Sequence, residues 1–229
     1  MKPSSITVII PVLNGEARLA TAIRSVLAQT CGVQEILVVD GGSTDGTEAV
    51  ARQFEEVTWL QQGGKGLANA RNSGLQAATG ELIAFHDHDD RWEPHKLEQQ
   101  VDYLRRHPET DYVITQLKFE LAAGCTPTAA YTPQSFKTTH VGCTPSALLA
   151  RRALFKSFGG FDESFALGCD ADWFARVRDA GIVGATLPEV LTYKTIHSDN
   201  LSANVETNRQ ELISIVLQSM RRRRQQPQP

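Results

Sequence analysis

The chain is sparing with the residues that would betray a function by count alone. Its four cysteines (Cys31, Cys125, Cys143 and Cys169) are scattered through 229 residues without paired spacing. That pattern argues against a zinc site and a disulfide framework, and fits a reducing cytosol. No apolar run reaches the length of a bilayer span, and the Met-Lys-Pro-Ser-Ser start has no signal-like apolar segment. A formal net charge of −3 gives no global pull toward nucleic acid. No internal repeat is visible. These absences lead us to expect a soluble cytoplasmic protein, long enough for one large core.

What is present is concentrated in Glu81-Leu-Ile-Ala-Phe-His-Asp-His-Asp-Asp90. It opens as a short buried strand and then breaks into three carboxylates and two imidazoles within five residues. Carboxylates packed so closely repel one another unless a cation sits among them. A divalent-metal site at the end of a strand is therefore expected, and oxygen ligands favour Mg²⁺ or Mn²⁺.

The surrounding pattern places that cluster. Ile6–Val12, Glu35–Asp40 and Val57–Leu60 are β-rich runs that precede the fourth strand. Between them, Asn14-Gly15 turns the chain, and Leu19, Ile23, Val26 and Leu27 form one helical stripe. Asp45 with Glu48 reads as a capping box. Gly63-Gly-Lys-Gly66 leads into an Ala-rich helix from about Leu67 to Ala78. Strands and helices alternating in this way predict a mostly parallel α/β sheet with right-handed crossovers and ligands at its carboxyl edge. Asp40 and Asp87–Asp90 should face one crevice.

Past Asp90 the rhythm changes. A helix over Glu93–His107, stopped by Pro108, and a strand over Asp111–Leu121 precede a long loop, 122–140, a candidate lid or acceptor gate. Further elements are predicted as a strand Ser146–Ala150, helices Arg152–Ser157 and Asp170–Ala180, and strands Ile182–Thr186 and Val190–Ile196. A last helix, Glu206–Arg222, carries Arg221–Arg224, read as a solvated helix end with weak contact to anionic lipid or RNA as the alternative. The Gln-Gln-Pro-Gln-Pro tail reads as disordered.

Four segments follow one another at a familiar spacing: Ile6 to Asn14, Val39-Asp-Gly-Gly-Ser-Thr-Asp45, Gly66 to Gly74, and Phe85-His-Asp-His-Asp-Asp90. Together with Ser146–Arg151, Gly159-Gly-Phe-Asp-Glu163 and Cys169-Asp-Ala-Asp-Trp-Phe-Ala-Arg176, they resemble a family-2 glycosyltransferase of GT-A fold over about residues 5 to 200. The resemblance implies a nucleoside-diphosphate-sugar donor, first of all a UDP-sugar, bound by residues 5–92. It places the acceptor and catalytic half at about 93–200, within one domain of residues 1–210, followed by the helix and basic tail of 211–229. No nucleic-acid partner and no transmembrane segment are implied, and the acceptor is not specified.

It also assigns roles. Pro11 and Asn14 fall on the donor side, and Asp40 matches the acceptor of hydrogen bonds from the nucleotide base. Asp87 and Asp89 match the DxD pair that holds Mn²⁺ or Mg²⁺ against the diphosphate. Arg71 reaches the diphosphate, with Lys65 and Asn72 beside it, and His197 sits where relatives carry a late metal or phosphate contact. Asp170 is the expected base of an inverting transfer, with Asp172 the alternative. Trp173 is a candidate acceptor platform or a core residue.

The sequence departs from the family in three places. Gly41 stands where a second carboxylate is common after Asp40, which should leave base binding to Asp40 alone. Cys169 stands where a Glu partner of Asp170 is usual, which keeps open a non-catalytic nucleotide-sugar-binding module. His86 and His88 flank the DxD aspartate, and His86-Asp-His-Asp-Asp90 also fits the opening of a dinuclear hydrolase motif using His86, His88 and Asp90. A nucleotidyltransferase with a similar sheet is a third alternative.

Overall fold

The structure, a computed structural model, describes residues 5–127, 131–198, 200 and 205–225. Its strands are β1 (Ile6–Val12), β2 (Glu35–Asp40), β3 (Val57–Gln61), β4 (Leu82–Phe85), β5 (Arg91–Trp92), β6 (Tyr112–Leu121), β7 (His140–Val141), β8 (Leu148–Arg151) and β9 (Gly184–Ile196). The helices are α1 (Leu19–Leu27), α2 (Thr47–Ala51), α3 (Gly66–Ala77), α4 (Lys96–Arg106), α5 (Arg152–Phe158), α6 (Cys169–Asp179) and α7 (Val205–Gln225).

One continuous sheet runs β3-β2-β1-β4-β8-β6-β9-β5, with β7 paired to β6. Pairing is parallel from β3 through β4, antiparallel where β8 joins β4 and β6, and parallel again between β6 and β9. Period-two alternation divides the central strands between two apolar layers. Ile9, Leu37, Val39, Ile83 and Phe85 pack with residues of α3, α5 and α6, including Ala68, Phe155 and Trp173. Val8, Ile10, Ile36, Val38 and Ala84 pack on the opposite face with Leu19, Ile23, Leu97 and Val101 of α1 and α4. These strands are buried on both sides, hence the unbroken apolar runs in sequence.

Several local expectations change. Ser146 belongs to a 3₁₀ turn, Pro145–Ala147, and β8 starts only at Leu148. The two strands expected over Ile182–Thr186 and Val190–Ile196 are one strand, β9. Its register against β6 shifts between Ile114 and Leu117, opposite the Leu187-Pro188-Glu189 segment. Proline lacks the N–H a regular ladder requires, and an irregularity there accommodates it. The capping box does not form: Asp45 receives the Thr47 N–H, whereas Glu48 pairs with Arg52. Gly46 takes the cap position of α2 without a side-chain bond.

Loop 122–140 is anchored where it is described. Phe119 of β6 meets Tyr131 at 5.0 Å and His140 at 4.7 Å between ring centroids. Helix α7 lies along α6: Ser219, Arg222 and Arg223 all donate to the buried Asp179 carboxylate. Two of the four terminal arginines are thus tied down, contrary to the reading of a merely solvated end. Gln225 closes α7, and the rest of the tail lies outside the described residues. No helix among the described residues is long and apolar enough to cross a membrane.

Candidate active site

β1, β2 and β4 run parallel and end together, so the loops leaving them share one edge of the sheet. At the end of β1, Asn14 adopts φ 52°, a left-handed turn that a short amide side chain tolerates. Its N–H donates to Ser43 Oγ at 2.8 Å, and its Oδ1 receives the Thr44 N–H at 2.9 Å. The β1 and β2 turns are stapled together. Pro11 is buried within β1, opposite Val39.

Asp40, buried at the end of β2, accepts from Gly42 N, from Ser43 N and Oγ, and from Gln61 Nε2. A carboxylate offers about four lone-pair sites. These donors fill them, so Asp40 shapes the Gly41–Ser43 turn and has no spare acceptor unless one bond is given up. Lys65 is exposed just before α3. Asn72 is committed to Phe161, donating to its carbonyl and accepting its N–H.

The acidic cluster comes directly after β4. Asp87 Oδ1 accepts from Arg71 Nη2 at 3.1 Å, and Oδ2 accepts from Lys194 Nζ at 3.1 Å. Burial alone would raise its pKa, but Lys194 and Arg71 outweigh that and hold the carboxyl well below the usual range. Lys194 also reaches Asp90 Oδ2 at 3.3 Å. Asp90 has a fully buried side chain and lies between two other carboxylates, and its pKa is pushed up to about 8. Burial disfavours charge on Lys194 as well, yet Asp90, Asp87 and Asp89 raise its pKa well above the ordinary value. The cation that the acidic run calls for is therefore partly supplied by the chain itself. Sequence reasoning missed Lys194, because nothing local marks a lone lysine in a distant strand.

Asp89 has different partners. Its Oδ2 lies 2.9 Å from His197 Nε2 and accepts from Asn200 Nδ2 at 3.2 Å. The two atoms meet across 108 residues. One carboxylate oxygen and one imidazole nitrogen form a donor set that suits Mn²⁺. Among the described residues no group of three or more His, Cys, Asp or Glu side chains stands in ligating geometry. Two protein donors are sufficient for an ion that completes its shell with water and a diphosphate. Asp89 and His197 could offer such an ion one oxygen and one nitrogen if their mutual bond were given up, whereas both Asp87 oxygens face the cations Lys194 and Arg71.

Arg71 is 1% exposed, with Nη1 3.4 Å from Cys169 Sγ and its guanidinium 5.2 Å from the Phe161 ring centroid. It pairs with Asp87 inside the fold and is buried rather than exposed in the crevice. Cys169 is buried against it, and burial pushes the thiol up to about 11.

The two base candidates separate clearly. Asp172 is buried, with Oδ2 accepting from Arg176 Nε at 2.7 Å, while Arg176 also donates to the Gly160 carbonyl. That is an internal pair. Asp170, at the start of α6, is only half-buried and accepts the Ala171 N–H at 2.8 Å. Burial raises its pKa, with Arg71 and the Ala171 N–H opposing and Asp87 adding to the rise. Asp170 therefore senses the same charges as the acidic cluster. From α7, Glu211 accepts the N–H groups of Ala166, Leu167 and Gly168 and fixes the segment ahead of α6.

Trp173 is completely buried, stacked on Phe155 at 5.3 Å, and is a core residue. His86 is also completely buried, stacked on Trp92 at 4.3 Å, with Nε2 2.9 Å from Ser25 Oγ. Burial drives its pKa down to about 3. A core imidazole held this way is not a ligand in an open metal site, and the dinuclear hydrolase reading falls with it.

Comparisons with known proteins give the family and the fold. The model of glycosyl transferase family 2 matches residues 7–156. The chain belongs to that family of enzymes. A protein of Rickettsia typhi named as a glycosyltransferase is 30% identical over 243 residues, covering 92% of this chain and 74% of its own length. Among solved structures, the mannosyltransferase PcManGT of Pyrobaculum calidifontis, in complex with GDP-Man and Mn²⁺, superposes with a TM-score of 0.73 at 22% identity. The match covers 99% of this chain and 66% of that one. TarS of S. aureus with UDP-GlcNAc gives a TM-score of 0.70 at 20% identity, over 88% of this chain and 61% of that one. The fold is GT-A, and the chain spans about two thirds of these two solved chains.

Proposed function

We propose that this chain is a metal-assisted, inverting glycosyltransferase that moves a sugar from a nucleoside diphosphate to an acceptor hydroxyl. The observation that carries the reading is Arg71, which bonds Asp87 of the acidic cluster with Nη2 and reaches Cys169 with Nη1, so that the start of α6, with Asp170 next to Cys169, lies beside the cluster. Asp170 takes the proton from the acceptor hydroxyl as that oxygen attacks the anomeric carbon. The bond from the anomeric carbon to the diphosphate breaks, and its electron pair leaves with the nucleoside diphosphate. A single in-line displacement of this kind inverts the anomeric centre. A raised pKa makes Asp170 a stronger base than an exposed carboxylate.

Asp89 and His197 are the residues that would hold Mn²⁺ or Mg²⁺, which supplies Lewis-acid stabilisation of the leaving diphosphate. Lys194, held by Asp87 and Asp90, adds a fixed positive charge at the same edge. The turns pinned by Asn14 and Asp40 bound the space for the base and ribose, and Lys65 stands exposed at the start of α3. Two findings support a nucleotide-sugar donor: PcManGT was solved with GDP-Man and Mn²⁺, and TarS with UDP-GlcNAc. A UDP-sugar is the first donor to try.

The test is thermal shift with UDP, GDP, ADP, CDP and dTDP, each with Mn²⁺, Mg²⁺ or EDTA. A ligand confined to the folded state raises Tm by mass action. We expect one diphosphate to raise Tm with Mn²⁺ and to lose most of that effect in EDTA. No response to any diphosphate would overturn the reading, and a response indifferent to EDTA would remove the metal from it.

A further inference from the structure

Helix α7 turns the wrong side outward. Its inner face is fixed by Glu211, the buried Ile215, Ser219 and Arg222. On the opposite side Ile213, Val216, Leu217 and Met220 recur at i, i+3, i+4 and i+7, the spacing of one helical stripe. With Leu212 at its margin, these side chains are between 42% and 56% exposed. Half of the ten exposed large hydrophobic residues among the described ones lie on this one helix. An apolar stripe of this kind, presented to water, marks a contact surface.

Charge says what the contact is. Five arginines against two glutamates leave α7 at +3, on a chain of net −3. Arg209, Arg221 and Arg224 are exposed at the two ends of the stripe and form no ion pair among the described residues. Of the two glutamates, Glu211 is turned inward and Glu206 lies in the first turn. A second copy is a poor occupant. Antiparallel pairing centred on the stripe would set Arg209 against Arg224, and parallel pairing would set Arg221 against Arg221. An apolar stripe bordered by cations is the pattern of a helix that lies in the interface of a negatively charged bilayer.

We propose that α7 is a peripheral membrane-binding element, docking its Ile213–Met220 stripe onto an anionic phospholipid surface with Arg209, Arg221 and Arg224 at the headgroups. The inner face keeps its hold on α6 and on the segment before Asp170, so docking needs no unfolding of the helix. The proposal stands independently of the transfer chemistry.

Co-sedimentation of the full chain with vesicles tests it, comparing pure phosphatidylcholine with vesicles holding about 30 mol% phosphatidylglycerol, in low and high salt. Binding is expected only to the anionic vesicles and should weaken as salt rises. Val216→Ser/Leu217→Ser should reduce it at least tenfold through lost apolar insertion. Arg221→Gln/Arg224→Gln should reduce it about 30-fold, since each surface arginine is worth roughly a factor of five at such a membrane. All four side chains are exposed, so circular dichroism and Tm of both variants should match the parent. Failure of the parent chain to sediment with anionic vesicles would overturn the proposal. So would binding insensitive to Val216→Ser/Leu217→Ser, which would leave electrostatics alone. A stable dimer in light scattering that those two serines dissociate, without vesicle binding, would assign the stripe to a second copy.

Discussion

Lys194 Nζ lies 3.1 Å from Asp87 Oδ2 and 3.3 Å from Asp90 Oδ2, one cation from the end of β9 joining two carboxylates of the loop after β4. The acidic run is tolerated in the folded chain because this lysine and Arg71 divide its charge. Removing one partner of a largely buried pair leaves the other uncompensated. Lys194→Met is therefore expected to destabilise the protein by about 3 kcal/mol, read from urea unfolding. Adding Asp87→Asn should recover part of the loss, because Asp87 is the carboxylate that Lys194 helps to hold ionised. If Lys194→Met alone is as stable as the parent, the lysine is not what holds the cluster together.

Asp170 and Asp172 make opposite predictions. Asp170→Asn should lower kcat by roughly 10²- to 10⁴-fold, the ordinary worth of a general base, with donor affinity nearly unchanged. The base acts only when ionised, so kcat/KM should rise with pH through its pKa. Because burial has raised that pKa, the rise should come above the usual carboxylate range. Asp172→Asn should instead loosen the pair with Arg176, lowering stability by about 2 kcal/mol and leaving the shape of the pH profile alone. A lost acid limb in the Asp172 variant would exchange the two roles.

At Gly74, α3 packs directly against β1. A Cβ built there would lie 2.4 Å from Ile9 Cγ2, and Ile9 is fully buried in the sheet centre. Gly74→Ala should therefore cost about 1–3 kcal/mol through overpacking, although alanine is the better helix former. Ile9→Leu in the same chain, which has no Cγ2 methyl at that point, should relieve part of the cost if the clash is the cause. Denaturant midpoints of the two single variants and the double variant decide the matter.

The first four strands were legible from residue order because their elements are local. β1, β2 and β4 are buried apolar runs, helices α1, α2 and α3 alternate with the strands, and Asp40 and Asp87–Asp90 fall at strand ends by that periodicity alone. That Asp89 and His197 were each singled out came from the motif resemblance, not from any pattern a helix or strand imposes. What stayed hidden is long-range. Lys194 finds Asp87 across 107 residues, and β8 enters the sheet antiparallel, although a strand–helix rhythm suggests parallel order. Roles that depend on burial were hidden for the same reason. Arg71, Asp172 and Trp173 carry side chains suited to a site, and only their neighbours show that each is committed to the interior.

His86 gives the sharpest prediction about stability. In the folded chain it is neutral, since burial puts its pKa at about 3, against an ordinary value near 6.5 once the chain unfolds. Between those two values the unfolded state binds a proton that the folded state refuses. Stability from this group is thus complete above about pH 6.5 and declines as pH falls toward 3. At pH 5 the loss should be about 2 kcal/mol relative to pH 7.5. His86→Gln keeps a polar side chain facing Ser25 and Ser146 but cannot titrate. It should be less stable than the parent at pH 7.5, because the stack on Trp92 is gone, and should lose less on acidification. Urea unfolding of both proteins at pH 7.5 and pH 5 gives the comparison. Parallel losses in the two proteins would place the acid sensitivity elsewhere, and a protein whose His86 titrated near 6.5 would have water where this core has Trp92.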